Sequence, residues 1–192
     1  MPHAACSLSS RVAVAGVLLL GLAAGAHAVD VKFQPVAEGV YAHVGDKGPR
    51  SLENEGLNAN LGLVVTPAGA VLIDSGATYR SARQIHEAVK KVTSQPVKWV
   101  VNTGGQDHRW LGNGYYREQG AELIAHADAR ADMQARGGDH LAALKAALQD
   151  RADGTVPVLP TRFVSGPATR LELGGVVFQF ERVIFSNNYC LH

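Results

Sequence analysis

The stretch "NANLGLVVTPAGAVLIDSGA", Asn58 to Ala77, decides the fold. It holds two β-branched, apolar runs separated by "TPAG" at Thr66 to Gly69, a pairing of strands around a tight turn. In the second run Val71, Leu72 and Ile73 are unbroken apolar residues, as expected of a strand buried on both faces, and the run stops at Asp74. The next segment, "TYRSARQIHEAVKKV" (Thr78 to Val92), places Ala82, Ile85, Ala88, Val89 and Val92 at helical spacing. Arg83, Glu87, Lys90 and Lys91 fall largely on the other face, so the segment reads as an amphipathic helix. "QPVKWVVNTG" then returns as a strand. A strand, a helix and a strand favour a parallel pair with a right-handed crossover. That crossover brings Asp74 and the loop starting at Thr103 to one edge of the sheet.

Outward from this unit the pattern continues. "GVYAHVG" (Gly39 to Gly45) reads as a strand, "GNGYYREQG" (Gly112 to Gly120) as a short helix and "AELIAH" (Ala121 to His126) as another strand. "ADARADMQARGGDHLAALKAALQD" reads as two helical segments split by Gly137 and Gly138. The Pro-containing "GTVPVLPTR" is a connector, and "TRLELGGVVFQFE" a hairpin turning at Gly174 and Gly175. The tail "RVIFSNNYCLH" either extends the last strand or stands apart from it; it does not supply a third αβ unit.

The 192 residues suit one compact domain, and 46% hydrophobic with 18% charged residues is an ordinary globular balance. Lys plus Arg number 18 against 17 Asp plus Glu, so no field of one sign marks a nucleic acid or an anionic membrane as partner. At the N-terminus, Arg11 precedes the apolar run "VAVAGVLLLGLAAG" and then "AHA". This order reads as a signal peptide, residues 1–28, cleaved before Val29, and implies a periplasmic or secreted protein; an uncleaved anchor is the alternative. Cleavage removes Cys6 and leaves Cys190, so an internal disulfide is excluded in the mature chain and packing must supply its stability.

Taken in order, "EGVYAHVG", "NANLGLVVTPAGAVLIDSGA", "VKWVVNTGGQDHRWLGN" and "GAELIAHADA" resemble the N-terminal half of the metallo-β-lactamase superfamily. The resemblance implies an αββα sandwich spanning residues 29–181, incomplete at its C-terminus, with residues 182–192 an atypical tail. It also implies a metal site at one edge of the sheets, built on the pattern T-H-x-H-x-D-H-x-x-G. Imidazoles and a carboxylate on one tight loop converge there on zinc, which lowers the pKa of a bound water and polarises an ester, amide or thioester carbonyl.

This chain departs from that pattern. Aligned from Thr103 to Gly112 at constant length, Gly104 and Gln106 replace the leading histidines, His108 the aspartate and Arg109 the last histidine. Anchored instead on the Asp-His pair, Asp107 and His108 are retained, with one extra residue before Gly112. Neither register assembles the three protein ligands of a catalytic zinc site. The resemblance also implies a histidine soon after a strand such as "VVFQF", where this chain runs into its tail and ends on His192, a residue too close to the terminus for a preorganised ligand. The tail reads as a truncation by frameshift near Arg182, which leaves apolar surface and a sheet edge uncovered.

Asp107 and His108 are therefore the remaining metal or acid-base candidates, against a structural reading in which Asp107 caps a helix beginning near Trp110. Asp74 corresponds to an aspartate that supports the site loop behind the metal, or is a strand-ending turn residue. Arg109 and Trp110 can line a pocket for an anion, or be a solvated side chain and a core one. "NANLG" lines the site through backbone groups or merely turns, while His43, His86, His126 and His140 read as surface or packing residues. The expected function is that of an exported, metallo-β-lactamase-like hydrolase of impaired chemistry acting on a small molecule, with zinc as its cofactor. A non-catalytic binding or accessory protein and a non-functional gene fragment are the alternatives.

Overall fold

The computed structural model describes residues 29–185 and 188–191, and the side chains of residues 29–181. The expected signal peptide, Cys6 and His192 lie outside the described residues, and the Cys190 side chain outside the described side chains. No helix among the described residues is long and apolar enough to cross a membrane.

Seven strands form one sheet in sequence order: β1 (Gln34–Ala37), β2 (Val40–His43), β3 (Leu61–Thr66), β4 (Gly69–Ile73), β5 (Val97–Asn102), β6 (Glu122–His126) and β7 (Arg162–Val164). The first two pairings and the β3–β4 hairpin are antiparallel; β4–β5, β5–β6 and β6–β7 are parallel. The predicted hairpin closes through Thr66 opposite Gly69, with the Thr66 hydroxyl donating to the Gly69 carbonyl at 2.6 Å. β1 carries Pro35 and is exposed at all four residues, which suits an edge strand and explains why its sequence shows no strand pattern.

The parallel strands need a crossover, and α1 (Tyr79–Val92) supplies the first. Thr78 caps it: its hydroxyl accepts from the Ser81 N–H while the Ser81 side chain accepts from the Thr78 N–H. Lys90 and Lys91 close the last turn, favourably placed at the negative end of the helix dipole. α3 (Asn113–Glu118) follows β5, after a one-turn helix α2 (Asp107–Trp110), and α4 (Ala127–Leu148) follows β6.

α4 is one continuous helix, not two segments split at Gly137 and Gly138. Gly137 is there for packing: a Cβ on it would stand 3.0 Å from the Trp110 ring. His140 consequently lies within this helix.

A second sheet holds β8 (Ala168–Leu173), β9 (Val176–Phe185) and β10 (Asn188–Leu191), all antiparallel. The hairpin turns at Gly174 and Gly175 as predicted, and the tail extends β9 before folding back as β10. Alternation along the central strands feeds two cores. Leu63, Ala70, Leu72, Val100 and Leu123 pack with Ala82, Ile85 and Val89 of α1 on the helical side. Val71, Val101 and Ile124 pack with Leu173 and Phe180 between the sheets.

Among the described residues the architecture is thus helices, seven-stranded sheet, three-stranded sheet: three of the four layers of an αββα sandwich. Up to Glu181, where the described side chains end, the outer face of β8 and β9 is largely polar. Arg170, Glu172, Gln179 and Glu181 occupy it, with the Arg170 Nε donating to Gln179 at 2.9 Å; Val177 is its exposed apolar residue.

Candidate functional site

The crossover does what the sequence predicts: Asp74 and Thr103 meet at one sheet edge. Asp74 follows β4 in the left-handed region, φ 65°, a conformation that Asp tolerates better than most residues. Its N–H donates to the Val101 carbonyl at 2.8 Å, which turns the carboxylate onto the first residue past β5. The Thr103 N–H then donates to Oδ1 at 2.7 Å and the Thr103 hydroxyl to Oδ2 at 2.8 Å. Burial pushes the Asp74 carboxyl up to about 6, against these two hydrogen bonds and the neighbouring Arg109 and His108, which hold it down.

The loop from Thr103 is fixed at both roots. The Arg109 carbonyl accepts from the Ser75 N–H at 3.0 Å and from Asn102 Nδ2 at 2.7 Å, and the Gly112 N–H donates to the Gly76 carbonyl at 3.0 Å. The approach is so close that a Cβ on Gly112 would lie 2.1 Å from the Ser75 oxygen. Gly105 is pressed by α4: a Cβ there would meet Asp132 Oδ2 at 2.2 Å. Trp110 is fully buried and donates from its indole to the Gly105 carbonyl at 3.0 Å, so it is a core residue that braces the loop.

Asp107 and His108 are neighbours at the start of α2. Asp107 is the first residue of that helix and not its cap; the cap position is Gln106, without a side-chain hydrogen bond. The Asp107 carboxylate, buried, pairs with the Arg50 guanidinium at 2.5 Å and stands 3.2 Å from His108 Nδ1. Burial by itself raises its pKa, but His108 and Arg50 more than reverse that, leaving the carboxyl below its ordinary value.

Arg109 goes elsewhere. Its Nη1 donates to the Thr103 hydroxyl, so a chain of hydrogen bonds runs from guanidinium through hydroxyl to the Asp74 carboxylate. Asp74, Thr103, His108 and Arg109, with residues 58–62 and Ile73, line an open cleft of about 480 Å³, within the usual size of small-molecule sites. "NANLG" does line the cleft.

The zinc implied by the resemblance does not fit this donor set. Among the described residues no three His, Cys, Asp or Glu side chains gather to share a metal ion. Asp107 is engaged by Arg50, and the Arg109 guanidinium already supplies a fixed positive charge next to the Thr103 hydroxyl that bonds Asp74, which opposes a dication there. His43, His86, His126 and His140 are not brought to the cleft. His126 instead caps α4, its Nδ1 accepting from the Asp128 N–H at 3.2 Å.

Three supports of the site have no signature in the sequence. Asn102 and Asn113, both fully buried, bond reciprocally at 3.0 and 2.9 Å and tie the end of β5 to α3. Arg50 lies 57 positions from its partner Asp107. Glu55, also fully buried, accepts from Arg80 at 3.0 Å, Gln84 at 2.9 Å and Arg151 at 2.9 Å, and so locks the loop that leads to Asn58. Each pairing joins residues far apart in the chain, beyond the reach of local pattern.

Comparison with known proteins bears on the fold and the family. The model of the metallo-beta-lactamase superfamily matches residues 54–187, well over half of the chain. Among similar solved structures, the metallo-β-lactamase FIM-1 from Pseudomonas aeruginosa, in its mono-zinc form, is 21% identical with a TM-score of 0.51, covering 73% of this chain and 54% of its own. Metallo-β-lactamase IND-7 is 17% identical, TM-score 0.57, covering 82% and 61%. A HARLDQ-motif variant of a metallo-β-lactamase from Cronobacter sakazakii, carrying Arg-to-His, Gln-to-His and Lys-to-His exchanges, is 21% identical, TM-score 0.56, covering 80% and 54%. The chain spans 54 to 61% of the length of these three structures. At such identities the structural likeness establishes the fold alone, and the family model establishes the kinship: the chain belongs to the metallo-β-lactamase superfamily.

Proposed function

We propose that this chain is an exported member of its superfamily in which metal-dependent hydrolysis of an ester, amide or thioester is impaired, and that the cleft serves as a small-molecule binding site. One observation carries the reading: the side chain that reaches Thr103, and through its hydroxyl Asp74, is the Arg109 guanidinium, a cation that needs no metal. This favours the register of constant length from Thr103 to Gly112, with Gly104, Gln106, His108 and Arg109 at the family's ligand positions. Export rests on the Arg11, apolar run and Ala-His-Ala order of residues 1–28.

The competing assignment keeps zinc on Asp107 and His108, with Asp74 behind them. It is favoured by the 3.2 Å between His108 Nδ1 and Asp107 Oδ1, which puts two donors side by side.

Equilibrium dialysis of the purified protein against zinc, with metal analysis, decides between them. We expect a cooperative melt, no tight stoichiometric zinc and no zinc-dependent ester or thioester hydrolysis. About one zinc per chain, lost on His108→Ala, would establish the metal site instead. A product without a cooperative melt would point to the gene fragment.

A further inference from the structure

The guanidinium of Arg109 offers five N–H donors, and the acceptor it meets among the described side chains is the Thr103 hydroxyl. Its Nε is buried without a partner, and it forms no ion pair within 4 Å among the described residues. Thr103 stands between it and Asp74, donating to the carboxylate and accepting from the guanidinium, which uses both faces of the hydroxyl and fixes the orientation of the cation. A part-buried cation in this state attracts an anion more strongly than a solvated one, because less water competes.

The rest of the cleft suits a particular kind of anion. Asn60 Oδ1 accepts from the Gly45 N–H at 3.1 Å, so the other end of that amide, the NH2, is left as a donor. Ala59, Leu61 and Ile73 add apolar surface to the same cleft. Asp74 lies behind Thr103, so one entering negative charge balances Arg109 while a second would stand unmatched against the carboxylate. The geometry points to a ligand with one carboxylate on a compact apolar body, bound by the Arg109 guanidinium. This rests on the metal-free reading of the cleft and deepens it.

Benzoate titrated into the nitrogen-15-labelled protein, followed by NMR, tests the assignment, with inorganic phosphate as the second probe. Saturable shifts of the Thr103 amide and the Arg109 side chain are expected for benzoate, with phosphate binding more weakly. Arg109→Gln should weaken benzoate by about tenfold or more, as expected for loss of a charge-assisted pair. Arg109→Lys keeps the charge without the planar fork and should fall between the two. Should Arg109→Gln fail to fold, the lysine variant decides alone: affinity equal to the parent overturns the proposal. So do unchanged affinity in a folded Arg109→Gln, absence of shifts at Thr103, or phosphate binding as tightly as benzoate. Zinc dialysis on the same sample separates the two readings. Stoichiometric zinc refutes the metal-free cleft whatever benzoate does, whereas a zinc-free protein indifferent to benzoate refutes this inference alone.

Discussion

Replacing Asp74 by Asn should stabilise the protein at neutral pH, although Asp74 makes two hydrogen bonds. Burial raises its carboxyl from 3.8 to about 6, so the folded state resists charging a group that the unfolded chain charges readily. Below pH 4 both states hold the proton and the cost is absent. Between about 4 and about 6 the unfolded chain loses the proton while the folded state keeps it, and stability falls as pH rises. Above 6 the full penalty of about 3 kcal/mol is in place, from a shift of about two units at 1.36 kcal/mol each. Asn keeps an acceptor for the Thr103 N–H but loses one for its hydroxyl, a cost of about 1 kcal/mol. The expected gain at pH 7.5 is about 2 kcal/mol; it vanishes as pH falls and at pH 4 turns into a small loss, under about 1 kcal/mol. His86 and His140, whose pKa values burial lowers, pull the other way, destabilising the fold as pH falls. Asp107, held below its ordinary value, does so at still lower pH, and all three are common to both proteins and cancel in the difference. Urea unfolding of parent and variant at pH 4, 5, 6 and 7.5 measures it. A difference that does not change with pH, or a variant weaker than the parent at pH 7.5, would refute the assignment of a buried, reluctantly charged Asp74.

Two further outcomes follow from the supports of the cleft. Gly112→Ala forces a Cβ to within 2.1 Å of a backbone oxygen that cannot swing away, and should cost about 3 kcal/mol or more in the denaturant midpoint. Glu55→Gln removes the charge shared by Arg80 and Arg151 in a fully buried setting; it should cost about 3 kcal/mol and speed hydrogen exchange through residues 51–60.

The β3–β4 hairpin, α1 and β5 were legible because each carries a local period, and with them came the meeting of Asp74 and Thr103. The single helix α4 was not, because Gly137 and Gly138 read as breakers when no side chain is there to show that Trp110 fills the space. In the site, Asp107 and His108 drew the eye as the residues with donor atoms, yet the side chain that reaches Thr103 is Arg109. Nothing in "QDHRW" says which of its residues turns toward the cleft, since a one-turn helix has no periodicity to read. Arg50, Glu55 and the Asn102–Asn113 pair escape for another reason: polar residues in irregular segments give no signal until the fold supplies their partners.

The span between Thr103 and Gly112 resembles an arch on two stone footings. Its bases are held by main-chain amides and by the Asn102 and Asp74 side chains, all outside the crown. Such an arch can exchange its keystones. A chain rooted in this way carries a different reactive or receptive surface whenever Gln106, His108 or Arg109 changes, and the masonry beneath has no reason to shift.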